Sequence, residues 1–273
     1  MSEKARGAAA LKALAIISVV FFLGVVTVNA LANTLPINGV NTGQLSDEIP
    51  NLFVPAGLTF SIWGLIYLLL AGYAGALLFA AFRSLGGAWG AVDAGLFIAN
   101  MAGNIGWILA WHYRMVGLAM ILMLLILASL AWLQERNWRR SAKADYPAGR
   151  GGAVLRFLLS TPINVYLGWI CVATIANATA LLVSLGWDGF GLDPRAWTVI
   201  VISAGMAIGL LFIFLRKAVA APLVIVWAYA GIVIKRLGAD PGYSAAVWIA
   251  AIAGATLLLA ALAARLFFGR VRS

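Results

Sequence analysis

The chain has 273 residues, of which 64% are hydrophobic and only 10% charged, with a mean hydropathy of +1.00. That is too apolar for a soluble core wrapped in a polar surface, so the chain reads as an all-α integral membrane protein. A net charge of +10 would suggest nucleic acid in a soluble chain, but here the basic residues lie between apolar runs, and no nucleic-acid partner is expected. The single cysteine, Cys171, excludes an intrachain disulfide framework and a thiolate metal cluster.

In chain order, a short basic N-terminus precedes an apolar run over 13–28. With Ala30, Leu31 and Ala32 behind it, the run also resembles a signal peptide, yet it is long enough to span and is read as an uncleaved first helix. Residues 33–54, NTLPINGVNTGQLSDEIPNLFV, hold turn formers and the acidic pair Asp47 and Glu48 but no base, and read as a structured loop. Further spans are expected over 55–82, 92–111 and 116–133. The polar stretch 134–156 then separates them from spans over 157–185, 196–215, 218–234 and 243–268.

Eight spans can be tested against charge. With the N-terminus inside, fifteen Lys and Arg fall on the inner side and four on the outer, the latter being Arg114, Arg195, Lys235 and Arg236. The inner set includes Arg136, Arg139, Arg140, Lys143, Arg150 and Arg156 of the large polar loop. This bias predicts both termini in the cytoplasm and a place in a bacterial cytoplasmic membrane, with the lipid bilayer as the first partner.

Three stripes organise the interior. In 162–177, PINVYLGWICVATIAN, the residues Tyr166, Trp169, Ala173 and Asn177 are spaced three, four and four and share one helical face. Asn100, Asn104, Trp107 and Trp111 do the same in the third span, and Phe60, Trp63 and Tyr67 continue the theme in the second. Asparagine is costly in hydrocarbon unless it meets a partner or a cavity, so the stripes should face each other around a pocket. Tryptophan and tyrosine present large flat faces with one polar atom each, and asparagine adds an amide. Core packing and interhelical hydrogen bonding are the alternative readings of the same stripes. Gly168, Ala173 and Ala176 leave room for a ligand or for a close helix neighbour.

PAGLTFSIWGLIYLLLAGYAG, NIGWILAWHY and TPINVYLGWICVATIANATA, in this order, resemble the second, third and fifth helices of the TspO/MBR family, the tryptophan-rich sensory proteins related to the translocator protein. The matching residues are Trp63 and Tyr67; Asn104, Trp107 and Trp111; and Tyr166, Trp169, Ala173, Thr174 and Asn177. The sequence departs from the family pattern in having Ser61 and Ile62 for Pro-Val, Val165 for a proline, and no acidic residue in the fourth span. The resemblance covers about 12–185 and implies a TspO-like five-helix bundle over 1–185, with three additional transmembrane helices over 186–273. It also implies a hydrophobic small-molecule ligand, tetrapyrrole- or sterol-like, in a pocket lined by Phe60, Trp63, Tyr67, Asn100, Asn104, Trp107, Trp111, Tyr166, Trp169, Ala173 and Asn177. No cofactor is obligatory, and a bound tetrapyrrole or porphyrin is the candidate.

Function then reads as a receptor or carrier with a regulatory or transport role. Competing readings are a non-catalytic scaffold subunit of a membrane complex and a secondary transporter, the latter weakened by the lack of an ionisable residue at mid-membrane. A homodimer or a membrane-complex partner is the candidate protein partner. An enzyme is disfavoured, because paired intramembrane carboxylates, a His-Glu zinc motif and a Ser-His-Asp set are all missing, although photochemical turnover of a bound porphyrin needs none of them. His112 reads as interfacial rather than as a haem ligand, and Asp93 as one half of an interfacial ion pair. Trp89, Trp132, Trp138, Trp187 and Trp197 read as membrane-interface anchors, and Gly205 with Gly209 as a helix-packing motif.

Overall fold

A computed structural model describes residues 3–35, 37–83, 85, 89–141 and 149–268. Lys143, Arg270 and Arg272 of the charge count and Pro36 of the first loop lie outside the described residues. Within them are nine α-helices and no strand: α1 (Glu3–Thr34), α2 (Thr42–Glu48), α3 (Ile62–Phe82), α4 (Ala91–His112), α5 (Val116–Ser141), α6 (Arg150–Ser184), α7 (Pro194–Leu215), α8 (Ala220–Ala239) and α9 (Ala245–Phe268). All but α2 are long and apolar enough to cross a membrane, which gives the eight spans.

Several spans run further than hydropathy predicts, α1 at Glu3–Thr34 and the two helices that flank the polar loop most of all. α5 continues to Ser141 because its polar end is held by ion pairs: Asp93 accepts from Arg136 Nε at 2.6 Å and from Arg140 Nη2 at 2.7 Å. The same carboxylate accepts from Gly90 N at 2.7 Å and so also fixes the start of α4. α6 begins at Arg150, so most of the expected polar loop is the projecting ends of two helices. Asp193 opens α7 by accepting from Arg195 N at 2.7 Å, with Pro194 in the first turn. The Arg195 guanidinium hydrogen-bonded to it holds the Asp193 carboxyl down at about 2.

α4 lies between α1 and α5, α6 between α5 and α3, and α1 also packs on α3. The last three helices pack on one another, and α8 is the one that lies broadly against α6. Gly168 makes that contact close, since a Cβ there would stand 2.7 Å from the Ala221 carbonyl oxygen. The Gly205 and Gly209 pair packs mainly within the last three helices, with Ile175 of α6 also 3.7 Å from a Cβ placed on Gly205. A Cβ on Gly205 would meet Tyr229 Oη at 2.6 Å and one on Gly209 would meet Leu258 at 2.6 Å, so the motif joins α7 to α8 and α9.

A five-residue 3-10 turn, Gly57–Ser61, leads into α3 and rests on α8. Ala56 N donates to Gly231 O at 3.0 Å, and Trp227 Nε1 donates to Thr59 O at 3.0 Å. Gly231 is required there, because a Cβ would come within 1.9 Å of Thr59 Oγ1. At the same end of the bundle α2 is tied on two sides, with Asp47 paired to Lys235 of α8 and Glu48 to Arg114 at 2.9 Å. The opposite end carries the Asp93 cluster and an Arg216–Glu135 pair at 2.7 Å.

Of the expected anchors, Trp132 and Trp138 are exposed, whereas Trp89 is buried and Trp187 packs on Trp197 with ring centroids 4.9 Å apart. Burial replaces the interface role at Trp89, while Trp187 and Trp197 are half-buried. His112 is likewise fully buried, its Nδ1 2.7 Å from Ile108 O and its carbonyl accepting from Asn38 Nδ2 at 3.0 Å.

Candidate functional site

Phe60 of the 3-10 turn, Trp63 of α3, Trp107 and Trp111 of α4, and Trp169, Ala173 and Asn177 of α6 line one cleft. The segment after α1 closes it with Thr42, Ser46, Asn51, Val54 and Pro55. None of these loop residues belongs to a stripe, so helical periodicity missed them. The Pro50-Asn51 step was the available signal: Asn51 Oδ1 accepts from Phe53 N and Val54 N, both at 3.1 Å, and folds the segment back over the cleft.

Ring geometry is that of interlocked aromatics. Trp169 meets Phe60 edge-on at 5.9 Å and Trp63 edge-on at 6.3 Å, while Trp107 and Trp111 stack at 5.8 Å. Trp107 Nε1 donates to Asn177 Oδ1 at 2.9 Å, and Asn177 Nδ2 donates to Ala173 O at 2.9 Å. Two indoles at the wall, Trp111 and Trp169, keep a buried N–H with no protein partner. An indole N–H can only donate, so both await an acceptor.

The remaining stripe residues lie behind this wall. Tyr67 stacks on Trp63 at 5.4 Å, and Tyr166 stands edge-on to Trp63 at 5.8 Å with its hydroxyl accepting from Asn104 Nδ2. Asn100 turns away to α5, donating to Ile126 O at 3.0 Å and Ser129 Oγ at 2.9 Å. It binds helix to helix. Of the small residues, Ala173 and Ala176 line the cleft, while Gly168 serves the α8 contact.

The cleft encloses about 40 Å³. That holds water but is well below the ~300 Å³ at which ligand pockets begin. Among the described residues there is no cluster of three His, Cys, Asp or Glu side chains, and His112 is not part of the cleft.

A family model described as TSPO-like protein matches residues 15–264. The chain belongs to the TSPO-like protein family. The match runs through α7, α8 and α9, beyond the 12–185 over which the sequence motifs carry the resemblance. A comparison with curated proteins and one with solved structures each found no match. Membership of the TSPO-like family accords in general terms with a membrane receptor or carrier.

Proposed function

We propose that this TSPO-like protein binds a flat, largely apolar ligand of tetrapyrrole or sterol type in the cleft between α3, α4 and α6, and acts as a receptor or carrier rather than as a catalyst. The observation that carries this reading is the convergence of Phe60, Trp63, Trp107, Trp111 and Trp169 on one cleft in which two indole N–H groups lack a partner. Ring faces would stack on a planar body, and Trp111 and Trp169 would donate to acceptors at its edge. A tetrapyrrole fits this chemistry but not the 40 Å³ of space, so the 42–54 segment and the rings must move apart to admit one.

A proton- or ion-coupled transport cycle is the less favoured reading, since the ion pairs of Asp47, Glu48, Asp93 and Glu135 among the described residues lie at the two ends of the bundle. The test is an equilibrium titration of the purified, detergent-solubilised protein with protoporphyrin, read by quenching of tryptophan fluorescence. Saturable quenching that weakens by about tenfold or more in Trp169→Ala is expected, equivalent to about 1.4 kcal/mol. A folded protein without saturable quenching overturns the reading.

A further inference from the structure

We propose that the chain carries a second small-molecule site, built by the α2 segment and the ends of α6, α7 and α8, for a single-chain amphiphile whose head is neutral and hydrogen-bonding, such as a hydroxyl or a carboxamide. A cavity of about 600 Å³ lies there. It needs no opening to reach the size of a ligand site. Ser46, Asn51 and Val54 line both it and the aromatic cleft, so the folded-back segment is the partition between the two spaces.

The body of the ligand follows from the walls. Leu52, Leu182, Val183, Leu192, Trp187 and Trp197 supply an apolar lining, with Leu182, Val183 and Leu192 also partly open to the surroundings. Such a lining suits a hydrocarbon chain, which asks for area and no direction.

The head follows from one ion pair. Arg236 is 6% exposed, its Nη1 lies 3.6 Å from Asp240 Oδ2, and both residues line the cavity. Arg236 Nε and Asp240 Oδ1 are buried without a partner. Of the other charges at the wall, Lys235 is paired with Asp47, and Asp188, itself exposed, accepts from Phe190 N at 2.9 Å. A neutral Arg–Asp pair offers a charged head no net attraction. A hydroxyl or carboxamide instead accepts from Arg236 Nε–H and donates to Asp240 Oδ1, satisfying both atoms at once.

Trp187 at the wall gives the readout. The full chain in detergent is titrated with a brominated long-chain alcohol, whose bromine quenches indole on contact, and with the carboxylate (ionised at alkaline pH) and quaternary ammonium of the same chain. The alcohol is expected to quench saturably, about tenfold or more tighter than either charged analogue, with reduced amplitude in Trp187→Phe and about tenfold weaker affinity in Arg236→Gln. Equal quenching by all three probes, unchanged in these variants, would show partition into the detergent belt and overturn the site. Absence of saturable quenching overturns it too, and tighter binding of a charged probe overturns the assignment of the head. Should Arg236→Gln fail to fold, Val183→Phe narrows the cavity from an exposed position without touching the pair. That variant must weaken the alcohol, and unchanged affinity overturns the site. The protoporphyrin titration reads Trp169 in the other space, so either site can fail alone.

Discussion

Trp107 donates its indole N–H to Asn177 Oδ1 at 2.9 Å and thereby bridges α4 and α6 at the wall of the aromatic cleft. Because the Asn177 amide also donates to Ala173 O, both polar ends of the residue are occupied, and its first role is to hold Trp107 in place. Asn177→Ala strands the buried indole N–H, and a loss of about 1–3 kcal/mol is expected from thermal unfolding in detergent. Asn100→Ala should lower stability to a similar degree while protoporphyrin affinity stays put, since that residue faces α5. Altered affinity in a stably folded Asn100→Ala protein would sink this assignment.

Trp169 separates ring from N–H. Its Nε1 has no protein partner, so Trp169→Phe removes a donor that the folded chain does not use and should cost little stability. Trp169→Ala empties a buried aromatic site and should cost about 3–5 kcal/mol in the absence of ligand. If the N–H reads a ligand acceptor, the Phe variant binds protoporphyrin more weakly although its melting temperature is near that of the parent. Equal affinity in the two proteins would assign Trp169 to stacking alone.

Asp93 is 1% exposed and receives Arg136, Arg140 and the Gly90 amide. Asp93→Asn leaves two arginines facing an uncharged group, and a destabilisation of about 3 kcal/mol is expected. Backbone hydrogen exchange should quicken at the start of α4 and the end of α5 together, because one carboxylate fixes both. Faster exchange at only one of them would contradict a shared anchor.

The segment that closes the cleft is held by Asp47 on Lys235 and Glu48 on Arg114. These pairs are largely exposed, so Asp47→Asn with Glu48→Gln should change stability by under about 1 kcal/mol. Opening of 42–54 should nevertheless become easier, and the association rate of protoporphyrin should rise in stopped-flow quenching. A rate that does not move would show that the ligand passes elsewhere.

Much of the architecture was legible because a membrane protein writes its spans as long apolar runs, and each of the eight apolar runs is a helix long enough to cross a membrane. The aromatic stripes were legible too, since Trp63, Trp107 and Trp169 sit at helical spacing and do meet. Periodicity resolves a face only coarsely, however. Asn100 and Asn104 are one turn apart, yet the first serves α5 and the second Tyr166. The polar ends of α5 and α6 were hidden because hydropathy reports apolar length; in α5, ion pairing to Asp93 extends the helix past it. The cavity around Arg236 was illegible for a different reason, its walls coming from three stretches that are distant in the chain and share no period.

The main-chain bond from Ala56 to Gly231 sets an order on biosynthesis. The turn that presents Phe60 leans on α8, whose Trp227 reaches Thr59 across 168 residues of sequence. While the ribosome is still making α7, the earlier helices can already stand in the bilayer, but the amide of Ala56 has no acceptor and the Thr59 carbonyl no donor. The aromatic cleft therefore acquires its final wall only after α8 has been inserted, close to the end of translation. A chain stalled or clipped before that point would carry every aromatic residue of the cleft and still present an unfinished one.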